Sequence, residues 1–216
     1  MKHIDLFALT ETWVGNSIEN FTLTGTNSND YVIFRNDRKF SGRAGGVAFI
    51  VKSKLNPILV DTVEIRKINI LVIRIGSLHL INVYIPPLTA KSTDSILALA
   101  NYLQNFVGEN NSLIFGDFNF SNINRDNNLS QIPGPQKLFY DFAKSLDLKQ
   151  LINFPTRCSS FLDLLFTNMQ ENLLHISRGS PFGNSDHYSI SGKCEISDNH
   201  IDQPRNSFKP NYRKAN

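Results

Sequence analysis

Two apolar, β-rich runs, Asn69 to Ile75 and His79 to Ile85, flank the dipeptide Gly76-Ser77. Runs of this composition around a short glycine-containing break predict a β-hairpin. Pro86-Pro87 ends the second arm, because proline has no N–H to give to a ladder. Shorter runs with the same character predict strands at Ile4 to Leu9, Tyr31 to Phe34, Gly45 to Val51, Ser112 to Phe115, Leu162 to Thr167, Leu173 to Ser177 and His187 to Ile196. Two segments carry helical spacing instead. Thr93 to Val107 places Ile96, Leu99, Ala100, Leu103 and Phe106 on one stripe, with Ser92 or Thr93 as its cap. Gln136 to Leu146 turns Leu138, Phe139, Phe142 and Leu146 inward. Many short strands with two helices predict a two-layer α/β sandwich rather than a doubly wound βαβ fold. No internal repeat is present. The last twenty residues hold a single aliphatic residue beyond alanine, Ile201. The expectation is one domain over 1–196 and a disordered tail or cut linker over 197–216.

Composition narrows the function classes. With 41% apolar residues in 216, wholesale disorder is excluded. A formal net charge of +3 excludes a strongly basic arm that binds nucleic acid by charge alone. It leaves room for a nuclease that meets phosphates in a local groove. The two cysteines, Cys158 and Cys194, make at most one bridge, so this is no disulfide scaffold, and a reducing, intracellular compartment is expected. No apolar run reaches ~18 residues, so no membrane partner is expected. Met1 to Leu9 has an Asp within its apolar stretch and no small-residue cleavage site, unlike a signal peptide.

Acidic and amide residues gather where strands stop: Glu11 in ALTETW, Tyr84 in NVYIPP, Asp117 and Asn119 in LIFGDFN, Asp163 in FLDLLFTN, and Asp186 with His187 in NSDHYSI. Strand ends bring distant side chains to one rigid edge. Carboxylate and amide oxygens are hard ligands that suit Mg²⁺ or Mn²⁺, and no Cys/His spacing suits zinc. Phosphodiester cleavage needs charge neutralisation, an activated water and help for the leaving oxygen. Glu11 would hold the metal, Asp117 would activate water and Asn119 would hold the phosphate. His187 would stabilise developing charge or carry a proton, oriented by Asp163.

Each residue alone has a plainer reading. A strand-end Asp is usually a turn former or a cap, Tyr84 before Pro-Pro is more often packing than catalysis, and His79 inside a strand reads as structural. Arg35, Arg38 and Arg43 either solvate a loop or, near Gly42 and Gly45-Gly46, meet phosphates.

In order, ALTETW, RAGGVAFIV, INVYIPP, LIFGDFN, FLDLLFTN and SDHYSI resemble the endonuclease/exonuclease/phosphatase superfamily. More narrowly they resemble the apurinic/apyrimidinic-type endonuclease domain of non-LTR retrotransposon (LINE-like) polyproteins, over about residues 4–196. The resemblance implies a four-layer α/β sandwich of two mostly antiparallel sheets flanked by helices, as in deoxyribonuclease I, and Mg²⁺-dependent nicking of DNA. By motif, Glu11 and Asp186 are metal residues, and Asp117 aligns or deprotonates the attacking water. Asn119 contacts the scissile phosphate, Tyr84 supports phosphate or leaving group, and Asp163 pairs with His187. The implied partners are DNA and, in an intact parent polyprotein, a reverse transcriptase domain. Genomic DNA as substrate implies a nuclear site of action.

That family opens with a strand bearing a catalytic Asn, followed by a helix, before the ALTETW segment. Against it the chain reads as N-terminally truncated, with the first strand missing, and reduced stability and activity are expected. The triple glycine of the family's third segment reads Ala44-Gly45-Gly46 here. The alternatives to an active endonuclease are a catalytically inactive fragment of one and, further off, a phosphatase or sphingomyelinase of the same superfamily.

Overall fold

A computed structural model describes residues 4–14, 30–37, 45–108, 110–120 and 134–196. The expected tail over 197–216, and Arg38 and Arg43, lie outside them. Eleven strands are present among the described residues: β1 (Leu6–Thr10), β2 (Tyr31–Asn36), β3 (Val47–Lys52), β4 (Ile58–Ile65), β5 (Ile68–Ile75), β6 (Leu78–Tyr84), β7 (Ser112–Asp117), β8 (Lys149–Gln150), β9 (Asp163–Thr167), β10 (Leu173–Pro181) and β11 (Tyr188–Cys194). The helices are α1 (Thr93–Leu103) and α2 (Gly134–Ser145).

The predicted hairpin is β5–β6, and it forms the middle of a six-stranded sheet ordered β4-β5-β6-β7-β9-β8. Only β6 and β7 run parallel, with α1 crossing between them. Both hairpin arms are apolar on successive residues, and both faces are accordingly buried. On one face Ile70, Val72, Ile81, Val83, Ile114 and Phe166 pack under Ile96, Leu99 and Leu103 of α1 and Phe139 and Ala143 of α2. On the other, Leu71, Ile73, Leu80 and Leu113 meet Val47, Phe49 and Val51 of β3, the middle strand of a second, antiparallel sheet β1-β3-β2. Each such side chain, fully buried, contributes about 1.5–3 kcal/mol. The hairpin β10–β11 roots its Leu173 and Cys194 in the same inter-sheet core.

The fold is thus an α/β sandwich of helices, sheet and sheet among the described residues. The two-layer expectation is one sheet short, because the runs are apolar on both faces and need cover on both. Strand β4 was not expected. Its residues ILVDTVEI mix charges with aliphatics, and its turn to β5 uses Arg66 (φ 49°) and Lys67 (φ 71°) where a hairpin of this geometry normally advertises Asn or Gly. Helix α1 stops at Leu103 instead of Val107, and the chain continues in tight turns that still bury Val107. Ser92 caps α1, its Oγ accepting from the Ser95 N–H at 3.3 Å. His79 is tilted against the Phe106 ring, with burial lowering its pKa, in keeping with a structural role.

Candidate active site

Strand register assembles the site. Asn69 of β5 stands opposite Tyr84 of β6, Tyr84 beside Asp117 of β7, and Asp117 opposite Asp163 of β9. Four residues from four strands therefore form one row at the same end of the large sheet.

The second sheet delivers Glu11 to that row. Asn82, buried in an otherwise apolar run, donates from Nδ2 to the Leu9 carbonyl at 2.9 Å and the Ala48 carbonyl at 3.2 Å. Two residues on from each end of that first bond, the Tyr84 hydroxyl donates to Glu11 Oε1 at 2.5 Å. The cross-sheet amide thus sets the pairing of tyrosine and carboxylate. Beyond β1 the chain lies against the paired glycines, with the Thr12 N–H on Gly46 O and the Trp13 N–H on Gly45 O. A Cβ at Gly46, whose φ is +87°, would sit 2.5 Å from Thr12 Oγ1. This close approach is the physical content of the Gly45-Gly46 motif.

Asp117 is buried. Its Oδ1 accepts from the Asn119 backbone N–H at 3.0 Å and its Oδ2 from Asn119 Nδ2 at 3.0 Å. Burial first, and the nearby Asp163 carboxylate second, push its pKa up to about 7. The second Asn119 amide hydrogen goes to the Ile85 carbonyl at 2.9 Å. With both N–H bonds so used, the amide has none left for the phosphate contact expected of it. Asn119 holds φ 51°, as Glu11 does, so two residues of the row's surroundings sit in a sparsely populated backbone region.

His187 Nδ1 lies 2.8 Å from Asp163 Oδ2, and that bond, ahead of the opposing effect of burial, raises the imidazole pKa. Thr156 brings the two strands together, and it carries no obvious sequence signal. Fully buried, it accepts on Oγ1 from the Leu162 and Asp163 N–H groups at 3.0 Å, and its carbonyl accepts from the Tyr188 N–H at 2.8 Å. Behind the row, Phe118 stacks at 5.2–5.7 Å on Phe120, Phe139 and Phe166, a rigid floor for Asp117 and Asn119.

Six expected residues therefore converge: Glu11, Tyr84, Asp117, Asn119, Asp163 and His187. Asp186 stands next to them in sequence, but its Oδ2 is 2.5 Å from the Arg157 guanidinium at the surface. Arg35 is turned onto Asp37 in a largely buried ion pair, so its charge is matched there. No group of three or more His, Cys, Asp or Glu side chains able to share a metal ion exists among the described residues. None of the described helices is long and apolar enough to cross a membrane.

An α/β sandwich with a carboxylate, amide and imidazole row at one sheet end defines an endonuclease-type fold. The chain belongs to the endonuclease-reverse transcriptase family, whose profile matches residues 78–191. Its structure is similar to that of an AP endonuclease from Archaeoglobus fulgidus, at 14% identity and TM-score 0.68, over 89% of each chain. It is similar to the endonuclease domain of TRAS1, a telomere-specific non-LTR retrotransposon, at 13% identity and TM-score 0.56, over 78% of this chain and 81% of that one. AP endonuclease LMAP from Leishmania major aligns at 12% identity and TM-score 0.63, over 89% and 79%. No curated protein matches the sequence.

Proposed function

We propose that this chain is a divalent-metal-dependent phosphodiesterase that nicks DNA and derives from the endonuclease portion of a retrotransposon polyprotein. The observation that carries the reading is the row itself. Tyr84, Asp117 and Asp163 are register neighbours, each with a partner, Glu11, Asn119 and His187, aimed at the same sheet end.

A buried carboxyl titrating at about 7 is matched to taking a proton from water near neutral pH. Asn119 holds that carboxylate by two bonds and fixes the lone pair that would face the water. His187, with Nδ1 on Asp163, is held in one tautomer and presents Nε2 for the developing charge or the departing oxygen.

Glu11, exposed and paired by one oxygen with Tyr84, fits a hard cation. Mg²⁺ commonly uses one or two protein carboxylates and completes its shell with water and substrate oxygens, so a cage of three is not needed. Glu11 would hold Mg²⁺, or Mn²⁺, with Asp186 joining once it leaves Arg157. Bound there, the ion supplies neutralisation of phosphate charge. DNA as substrate puts the action in the nucleus, beside a reverse transcriptase in the parent polyprotein.

Supercoiled-plasmid nicking with Mg²⁺, against EDTA and His187→Ala, tests the reading. Nicking that needs both the ion and His187 is expected. Folded protein that leaves the plasmid intact at every metal concentration would reject it in favour of a catalytically inactive domain of this fold. The observation favouring that second reading is the Arg157–Asp186 pair, which engages the second carboxylate proposed for the metal.

A further inference from the structure

The chain from Ile85 to Ser92 leaves the row at Tyr84, turns through a short 3-10 helix (Thr89–Lys91) and enters α1. Two open clefts border it. One, of about 440 Å³, is lined by Arg66 and Lys67 of the β4–β5 turn together with Leu88 and Thr89. The other, of about 390 Å³, is lined by Lys91 and Arg157 together with Pro87 and Asn119. Neither is lined by a carboxylate. Arg66, Lys67 and Lys91 are exposed, and among the described residues no ion pair matches their charge. This contrasts with Arg35 on Asp37 and Lys137 on Asp141.

Register puts both clefts at the catalytic end of the sheet. The β4–β5 turn residues Arg66 and Lys67 stand three and two residues before Asn69, which opposes Tyr84, and Asn119 itself lines the second cleft. From β7 to that turn is two to three strand spacings, about 10–14 Å. Measured along the helix axis, a DNA strand advances about 3.4 Å per phosphate, so a span of this length laid along the axis covers three or four phosphates.

We infer that these clefts are two outer phosphate subsites, Arg66 and Lys67 on one side and Lys91 on the other, which track the DNA backbone across the reacting position. The inference rests on the DNA-nicking reading and gives it a substrate path. It also moves the backbone contacts from Arg35 to a set that the two clefts beside the row bring together. Bound phosphates at these points fix where the strand lies and carry no base information, so recognition through them is independent of sequence.

Binding of a short labelled duplex, followed by fluorescence anisotropy in EDTA over a salt series, tests it apart from cleavage. Each neutralised phosphate contributes about 0.9 to the slope of log affinity against log salt. Lys91→Ala is expected to lower the slope by about 0.9 and Arg66→Ala with Lys67→Ala by about 1.8, with weaker binding to every duplex. Lys91→Arg and Lys67→Arg keep the charge and the slope, and Lys137→Ala on α2 leaves both unchanged. Alanine variants that bind with the unaltered slope overturn the subsites while leaving the nuclease reading in place. An unvaried chain that does not bind duplex at low salt overturns both.

Discussion

Nδ1 of His187 and Oδ2 of Asp163 are 2.8 Å apart, although 24 residues separate them in sequence. The bond joins the start of β9 to the turn before β11, and Thr156 fastens both sides of it. It raises the His187 pKa, so the charged imidazole stabilises the fold below its ordinary value near 6.5, and that contribution is lost as pH rises through the folded value. Asp163→Asn is expected to bring the His187 titration, followed by NMR, down towards ~6.5. Nicking is expected to fall about 10²- to 10⁴-fold, the usual worth of one oriented acid or base. An unmoved titration would mean that Asp163 does not set the imidazole's charge.

Tyr84 and Glu11 are joined across 73 residues of sequence, and the bond crosses from one sheet to the other. Tyr84→Phe keeps the ring in the inter-sheet core and removes only the hydroxyl. The carboxylate then loses its orienting donor. Partners of this kind typically change metal affinity by 10–100-fold. The variant is expected to need that much more Mg²⁺ for half-maximal nicking, with thermal stability changed by about 1 kcal/mol. Unchanged metal dependence would remove Tyr84 from the metal's surroundings.

Asp117 is a buried acid whose folded pKa, about 7, exceeds its unfolded value near 3.9. Between those values the folded state holds a proton that the unfolded chain has released. Stability therefore falls as pH rises across that window, and the full penalty is present above it. Asp117→Asn removes the penalty and, like the protonated acid, keeps one carbonyl oxygen as acceptor for Asn119. Melting temperatures of variant and unvaried protein are expected to agree near pH 4 and to diverge by pH 8, with the variant higher. Its nicking is expected to vanish. A variant that melts lower at pH 8 would mean that the carboxylate is well solvated after all.

The parts of this molecule that are legible in sequence are those with a local cause. The β5–β6 hairpin follows from its two apolar arms and Gly76-Ser77, and α1 follows from its stripe and from Ser92. Glu11, Asp117, Asp163 and His187 stand at strand ends, where side chains from different strands meet. Partnership is not legible, because it depends on register. Nothing near Asn119 in sequence reveals that both amide hydrogens go to Asp117 and Ile85. Nothing near Arg35 beyond Asp37 itself reveals the ion pair that takes it out of the proposed backbone contacts. The Asn82 cross-link had a signal, since an amide in an apolar run must find partners when buried. Strand β4 and its Arg66-Lys67 turn had none, because two non-glycine residues with positive φ break the usual turn chemistry.

Gly116 tests the sheet beneath the site. Its φ is +139°, a region that side chains rarely enter, and a Cβ there would lie 1.9 Å from the Val83 carbonyl oxygen on β6. That contact is with backbone, so no rotamer change relieves it. Gly116→Ala must push β7 away from β6 at the residue before Asp117, in the one parallel pairing of the sheet. Backbone strain of this sort costs about 1–3 kcal/mol, and overpacking adds a similar amount. A loss of about 3 kcal/mol or more in denaturant unfolding is expected, and nicking is expected to fall further than the unfolded fraction accounts for, because Tyr84 and Asp117 are register partners across that same pairing. If activity falls only in step with folding, the spacing of the row is not set by β6–β7 contact at this glycine.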